Sequence, residues 1–366
     1  MKVSIILGTR PEIIKMSPIV RECERMHLDY FILHTGQHYS YNMDRVFFEK
    51  LELHEAKYNL DVGSGTQGKQ TADMLIGIEK ILQKEIPDVV LVEGDTNTVL
   101  AGALAAAKLG IKVGHIEAGL RSYDRGMPEE TNRILTDHCS DYLFAPTSTS
   151  KQILLHEGLL QKNVFMVGNT IVDAVKQNIT IAQTKTQIQS KLNLQNEFML
   201  ATSHRQENVD SKFHFKNLIK GLQLIQNEFK IPLIYPIHPR ARKQLQLFGI
   251  NPTGLTLVEP LNYLEFLQLE SKAKLVLTDS GGVQEETCIL KVPCVTLREN
   301  TERPETIDVG SNLLAGTSPN RILAAAKTMI NKNKNWTNPF GDGKAAQKIV
   351  KILKTKACAN KSRKLT

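Results

Sequence analysis

Five short stretches of the chain combine residues that can move protons or hold anions, and each follows an apolar run. Glu93-Gly94-Asp95-Thr96 closes the run VVLVEG, and His115-Ile116-Glu117 closes KVGHIE. If these runs are neighbouring strands, Asp95 and Glu117 emerge on one sheet edge, one or two strand spacings of roughly 5 Å apart. Carboxylates at that range push their pKa values apart, so that one can act as an acid and the other as a base. The competing role for Asp95 is a helix N-cap before Thr96; Glu117, followed by Ala118-Gly119, has no such alternative. In the second half, Ser203-His204-Arg205 follows FMLAT, and His238-Pro239-Arg240 repeats the pattern with less force. LVLTDSGGVQEE gives the strongest local signal: a buried strand, then Ser280-Gly281-Gly282, then Glu285-Glu286 on a helix. Glycines let backbone amides approach a diphosphate, and the Ser280 hydroxyl adds a donor. A glutamate one turn into that helix can accept from a ribose diol.

Cations accompany these groups. The first strand ends in Gly8-Thr9-Arg10-Pro11-Glu12, so Arg10 and Lys15 flank a helix N-terminus whose dipole and free amides attract anions. The plain alternative is a helix start with two solvated cations. Pro128-Glu129-Glu130 opens another helix, where acids ordinarily complement the dipole. Thr301-Glu302-Arg303-Pro304-Glu305 follows VPCVTL and brings Arg303 to the strand-end level, unless it pairs with Glu302 or Glu305. GSGTQGKQT (Gly63 to Thr71) contains Gly-x-Gly-x-x-Gly and falls one residue short of a P-loop, with Gln70 where Ser or Thr would stand. Such a fingerprint needs a buried strand running into it. HEAKYNLDV offers no Val/Ile run, so no strand is expected there and the stretch is read as neither an NAD nor an ATP loop. Thr71, Met74, Leu75, Ile78 and Leu82 do predict the helix that follows.

The elements that must position these residues alternate along the chain. Strand-like runs occupy 3–7, 30–35, 89–94, 112–117, 142–146 and 164–168, and a second series 198–204, 233–239, 255–260, 275–280, 292–297 and 312–316. Segments of helical spacing, such as Thr96–Lys108, Phe213–Phe229 and Asn320–Ile330, lie between them. Continuous apolar strands joined by helices mean parallel sheets covered on both faces. The expected fold is α/β, with two doubly wound, Rossmann-like domains facing across a cleft and ligands at the carboxyl ends of the strands. The first domain is expected over 1–169 and the second over 170–342, with Thr170–Asn196 as connector.

Bulk composition bounds the function class. A chain of 366 residues with 41% hydrophobic and 23% charged content suits a soluble globular protein of two domains. MKVSIILGTRPE meets a proline and charges too soon for a signal peptide, and no apolar run reaches the length of a membrane span. Cys23, Cys139, Cys288, Cys294 and Cys358 show no paired spacing, which fits reduced thiols in a cytoplasm. The sequons at Asn178 and Asn335 are then inert. The net charge is +8, but the tail Lys354 to Thr366 holds five cations and no acid, leaving +3 for the body. This tail (354–366) is expected to be disordered, and without an RNP, KH or zinc-finger pattern no nucleic-acid partner is expected.

GTRPEIIK, EGDTNT, HIEAGLR, PEETNR, TDSGGVQEE and TERPE, in this order across residues 1 to about 353, resemble the non-hydrolysing UDP-N-acetylglucosamine 2-epimerase family, which has the GT-B architecture. The resemblance implies interconversion of UDP-N-acetylglucosamine and UDP-N-acetylmannosamine for surface-polysaccharide synthesis by a cytoplasmic homodimer. It assigns catalysis to Asp95, Glu117 and Glu129, with His204 beside them. UDP would be held by Arg10, Lys15, His204, Ser280, Gly281, Gly282, Glu286 and Arg303, with Phe266 near the uracil. It also implies that the helix 343–353 crosses back onto the first domain and that a second substrate molecule activates beside Gln37 and His38; with diphosphate ligands on both domains, binding is expected to close the cleft. Tyr39-Ser40 departs from the family's Gln/Arg-rich run, which predicts weak or altered activation, and Leu261 stands where many bacterial members have Gln. The glycine stretch would border the cleft.

Carbon 2 of the sugar has no adjacent carbonyl to acidify its hydrogen. The expected route is therefore elimination of UDP to a glycal and re-addition on the opposite face, with no metal and no redox cofactor. The rival readings are a GT-B glycosyltransferase, a hydrolysing epimerase that releases free sugar, and a silent nucleotide-sugar sensor or nucleic-acid binder.

Overall fold

The computed structural model describes residues 1–37 and 41–363; His38, Tyr39 and Ser40 lie outside the described residues. The fold is α/β, with two parallel sheets as the alternating pattern requires. The chain divides into two compact units, Met1–Lys176 with Phe340–Thr366, and Gln177–Pro339.

The sheet of the first unit comprises β1 (Lys2–Leu7), β2 (Asp29–His34), β3 (Tyr58–Asn59), β4 (Val89–Glu93), β5 (Lys112–Ile116), β6 (Tyr142–Ala145) and β7 (Val164–Met166). Its order is β3-β2-β1-β4-β5-β6-β7, so the direction of winding reverses between β1 and β4. Val3 pairs with Val89 there, and Glu93 pairs with Ile116 on the neighbouring strand. One face is covered by the helices Gln67–Glu85 and Asn97–Lys108, whose Met74, Ile78, Leu82 and Val99 bury against Ile6, Val90 and Val92. Alanine dominates the second helix because it lies close on the sheet, and Gly102 leaves room for Val92 and Ile6.

The second unit holds β8 (Met199–Thr202), β9 (Leu233–Pro236), β10 (Thr256–Val258), β11 (Leu275–Thr278), β12 (Cys294–Thr296) and β13 (Asn312–Leu314). Their order, β10-β9-β8-β11-β12-β13, reverses between β8 and β11, which pair from Leu275–Met199 to Thr278–Thr202. Phe215, Leu218 and Leu222 of the helix Lys212–Phe229 bury with Ile322 and Ala326 of the helix Pro319–Met329 against Met199, Leu275 and Leu277. In open sheets of this kind ligands bind beyond the strand ends at the reversal point. The reversal points are β1/β4, followed by Gly8 and Asp95, and β8/β11, followed by Ser203 and Asp279.

Three expectations are corrected. A strand does precede the glycine stretch: Tyr58 and Asn59 pair with Leu33 and His34. Two residues at a sheet edge are too few to leave an apolar run. The units divide inside the helix Thr170–Lys185 and at Phe340, not at 169/170 and 342/343. Local bonds explain both shifts, because Asn169 N–H donates to the Phe340 carbonyl at 2.8 Å and Asp173 accepts from Ala345 and Ala346 at 3.2 and 3.0 Å. Finally, the tail is not irregular as far as Arg363, since the helix Ala345–Arg363 continues through it. Its Ala and Lys are strong helix formers with no Gly or Pro between them, and Ile349, Val350 and Leu353 are buried within the first unit.

Candidate active site

In the first unit, β1 runs into Gly8, where a Cβ would overlap the hydroxyls of Thr35 and Thr98. Thr9 then precedes the helix Arg10–Arg25, and Glu12 reaches back to the amides of Gly8 and Thr9 at 2.6 and 3.3 Å. The Thr96 hydroxyl donates to its other oxygen at 2.6 Å. Burial outweighs these bonds and raises Glu12 to about 7. Arg10 Nε pairs with Asp44 at 3.1 Å, its guanidinium 5.0 Å from the centre of the Phe47 ring. Lys15, one turn on, is directed at the strand ends. Its ammonium lies 2.5 Å from Glu117 Oε1 and 3.2 Å from Glu93 Oε1. Glu93 is buried, and burial with the like charge of Glu117 raises it well above the carboxylate range even though Lys15 opposes the shift.

Glu117 follows β5 in the left-handed region, with φ 68°, a conformation that costs a residue with a side chain. The Asn169 amide donates to its Oε1 at 2.7 Å. Asp95, beyond the adjacent β4, is not the N-cap of the helix Asn97–Lys108; the Thr96 hydroxyl takes that role. Its carboxylate is instead gripped by Arg133, whose Nη2 and Nε lie 2.6 and 3.0 Å away, and its carbonyl accepts from Asn132 at 2.9 Å. The two carboxylates thus end neighbouring strands, each with a cation of its own. The adjacent acids of PEETNR divide their work. Glu130 is buried and accepts from Ser122, Tyr123 and Arg133, holding the preceding loop, whereas Glu129 lines a cavity of about 280 Å³ with Asp95, Asn97 and Asn132. Gln37 reaches the same cavity, but its amide oxygen accepts from the Thr98 N–H and hydroxyl at 3.0 and 2.8 Å. Gln70 donates to the carbonyls of Gly63 and Gln37 at 2.7 and 2.8 Å, so where a P-loop would need Ser or Thr this residue ties the glycine loop inward.

In the second unit, Asp279 is the organising group. It is fully buried and accepts from the Ser203 hydroxyl at 2.7 Å, from the amides of His204 and Arg205 at 3.1 Å, and from Asn208 at 3.0 Å. Burial would raise its pKa, but the His204 side chain and these donors prevail and hold it down at about 2. The His204 ring, half-exposed, lies 3.3 Å from Asp279. Ser280 stands before the helix Gly281–Leu290 and makes no side-chain cap bond. A Cβ on Gly281 would meet Glu302 at 2.7 Å, whereas at Gly282 only the Ser280 hydroxyl comes within 4 Å, at 3.9 Å, so the backbone there can be approached closely. Glu302 is drawn to about 2 because Arg205 and Arg298, at 2.7 and 2.8 Å, outweigh its burial. Arg303 Nε lies 2.9 Å from Glu285, one position before Glu286, and its Nη1 donates to the Glu302 carbonyl at 3.2 Å. Glu286 is buried beside Glu270, which burial and the Glu286 charge raise well above the carboxylate range. Phe266 and Leu261 are half-buried against the core of that face.

Several residues of these constellations were not singled out in the sequence: Glu93, His115, Arg133, Asp137, Asn169 and Asp279. The signal for Glu93 and His115 was a charged or titratable residue inside an apolar strand. Arg133 and Asp137 recur at helical spacing from Glu130, on the helix face turned to the strand ends.

A family model for UDP-N-acetylglucosamine 2-epimerase matches residues 21–354. A UDP-N-acetylglucosamine 2-epimerase of Methanocaldococcus jannaschii is 56% identical over 96% of this chain and 99% of its own length. One from Methanococcus maripaludis is 55% identical over 96% and 98%. The crystal structure of the Methanocaldococcus jannaschii epimerase in complex with UDP-GlcNAc and UDP superposes with a TM-score of 0.88, covering 97% of this chain and 100% of that one.

Proposed function

The chain belongs to the UDP-N-acetylglucosamine 2-epimerase family, and from that premise we propose that it interconverts UDP-N-acetylglucosamine and UDP-N-acetylmannosamine. The observation that carries the chemistry is that Asp95 and Glu117 end neighbouring strands, each bound to its own cation, Arg133 and Lys15. One carboxylate of the set Asp95, Glu117 and Glu129 removes the proton from carbon 2 as the bond from carbon 1 to the UDP oxygen breaks. The products are a 1,2-unsaturated glycal and UDP. Protonation of carbon 2 on the opposite face and re-addition of UDP at carbon 1 complete the inversion without net oxidation. Acid–base assistance by a positioned carboxylate is worth about 10²–10⁴-fold. The leaving diphosphate needs fixed donors and cations, which Ser280, Gly281, Gly282 and Arg303 offer, with His204 beside them and Glu286 for the ribose. Arg10 and Phe266 complete the proposed UDP contacts. We assign the enzyme to the cytoplasm as a homodimer supplying surface-polysaccharide synthesis; among the described residues no helix is long and apolar enough to cross a membrane.

Proton NMR with UDP-N-acetylglucosamine in deuterated water tests this reading. A UDP-N-acetylmannosamine anomeric signal should grow at constant total UDP-sugar, with deuterium at carbon 2 and traces of UDP and glycal on long incubation. Free N-acetylmannosamine with an equal amount of UDP, and no UDP-N-acetylmannosamine, would instead identify a hydrolase. Epimerisation without deuterium uptake would eliminate this route.

A further inference from the structure

Glu117 is held in its strained turn by a residue that does not touch it. Asp137, fully buried on the helix Pro128–Cys139, lies with one oxygen 2.6 Å from His115 Nδ1. Its other oxygen takes the Gly119 amide at 3.1 Å and Arg121 Nη2 at 2.8 Å. It therefore binds the residue two before Glu117 and the residue two after it. The far nitrogen of His115 lies 2.9 Å from the Gly94 carbonyl. A carbonyl can only accept, so the ring donates from Nε2 and turns Nδ1 to the Asp137 carboxyl. Arg121 also pairs with Glu157, at 2.6 and 2.9 Å. Because Gly94 immediately precedes Asp95, the same ring ties the end of β4 to the end of β5. A left-handed residue with a side chain persists only where its surroundings over-determine it, and here the surrounding bonds converge on one carboxylate.

We propose that Asp137 is a positioning residue that fixes Glu117 for proton transfer at carbon 2, an assignment that rests on the catalytic reading of Glu117. Acting through His115 and Gly94, it also sets the backbone from which Asp95 projects. Asp137→Asn keeps the side-chain size and one accepting oxygen, so it removes the second acceptor without leaving a cavity. In the full-length enzyme its kcat on UDP-N-acetylglucosamine should fall at least about fivefold, while KM and the affinity for UDP stay within about twofold. Asp137→Ala should fall further with the same split. A smaller fall in kcat for Asp137→Asn, or a fall matched by lost UDP affinity, overturns the assignment. Glu117→Gln measured alongside separates the two ideas. If Glu117→Gln is fully active, the catalytic reading of Glu117 fails. If Glu117→Gln is inactive while Asp137→Asn is fully active, only the positioning role fails.

Discussion

The ammonium of Lys15 lies between two buried carboxylates, 2.5 Å from Glu117 and 3.2 Å from Glu93. Removing one partner of a buried ion pair leaves the remaining charge uncompensated, at a cost of about 3–5 kcal/mol. The Glu93–Glu117 pair in Lys15→Met should therefore retain a proton to higher pH. The rising limb of its pH–kcat profile should move upward, and kcat near neutrality should drop roughly tenfold or more. If Lys15 serves the diphosphate instead, KM and UDP affinity should weaken while the profile stays in place.

Arg133 bridges Asp95 and Glu130 with separate nitrogens, at 2.6 and 2.7 Å. A lysine is a single point charge and cannot reproduce that fork. Arg133→Lys should lower kcat about 10- to 100-fold, judged from what loss of a supporting partner costs other sites. Deuterium uptake at carbon 2 should slow in step with kcat. Unchanged uptake with slower turnover would place Arg133 at another step.

The sheets were legible because their strands are unbroken apolar runs buried on both faces, and a helix-spaced pattern separates each from the next. β3 was not, since two edge residues leave no pattern. The strand-end acids Asp95 and Glu117 could be picked out because nothing in a helix cap or a solvated loop accounts for Glu117. Their partners could not. That Arg303 would reach Glu285 depends on side-chain directions across a helix and a loop, which no spacing records. Asp137 resembled any acid on a surface helix until the fold placed it under the β5 turn. Glu12, the last residue of the GTRPE motif, carried no signal of its own in the sequence and is buried.

That burial gives Glu12 a measurable pH signature. Its folded-state pKa of about 7 lies above the ordinary 4.5, so the folded protein binds the extra proton between these values. Stability from this group is complete below about 4.5 and is lost as pH rises to about 7. A shift of that size corresponds to about 3 kcal/mol. Glu12→Gln has no such proton. The unfolding free energy of the wild type relative to Glu12→Gln, from urea titrations across this range, should therefore decline with rising pH and then level off. A difference independent of pH would mean that Glu12 is already ionised throughout.

Gly119 and Gly110 share a left-handed backbone, with φ 83° and 70°, but not their surroundings. A Cβ on Gly110 meets nothing within 4 Å, whereas on Gly119 it would overlap the Ser150 carbonyl oxygen and lie 2.8 Å from Leu154. Both alanine variants incur the left-handed penalty of about 1–2 kcal/mol. Gly119→Ala adds a steric clash typically worth another 1–3 kcal/mol or so, and the turn can relieve it only by moving away from the helix Ser148–His156. That movement pulls the Gly119 amide off Asp137 and carries Glu117 with it. Gly110→Ala should thus lower the melting temperature with kcat unchanged. Gly119→Ala should lower it further and reduce kcat roughly tenfold or more, on the scale that small misplacements of a catalytic group produce. Equal kcat in the two variants would show that the turn at Glu117 tolerates displacement, and would weaken the case that its strained geometry matters for the proton transfer.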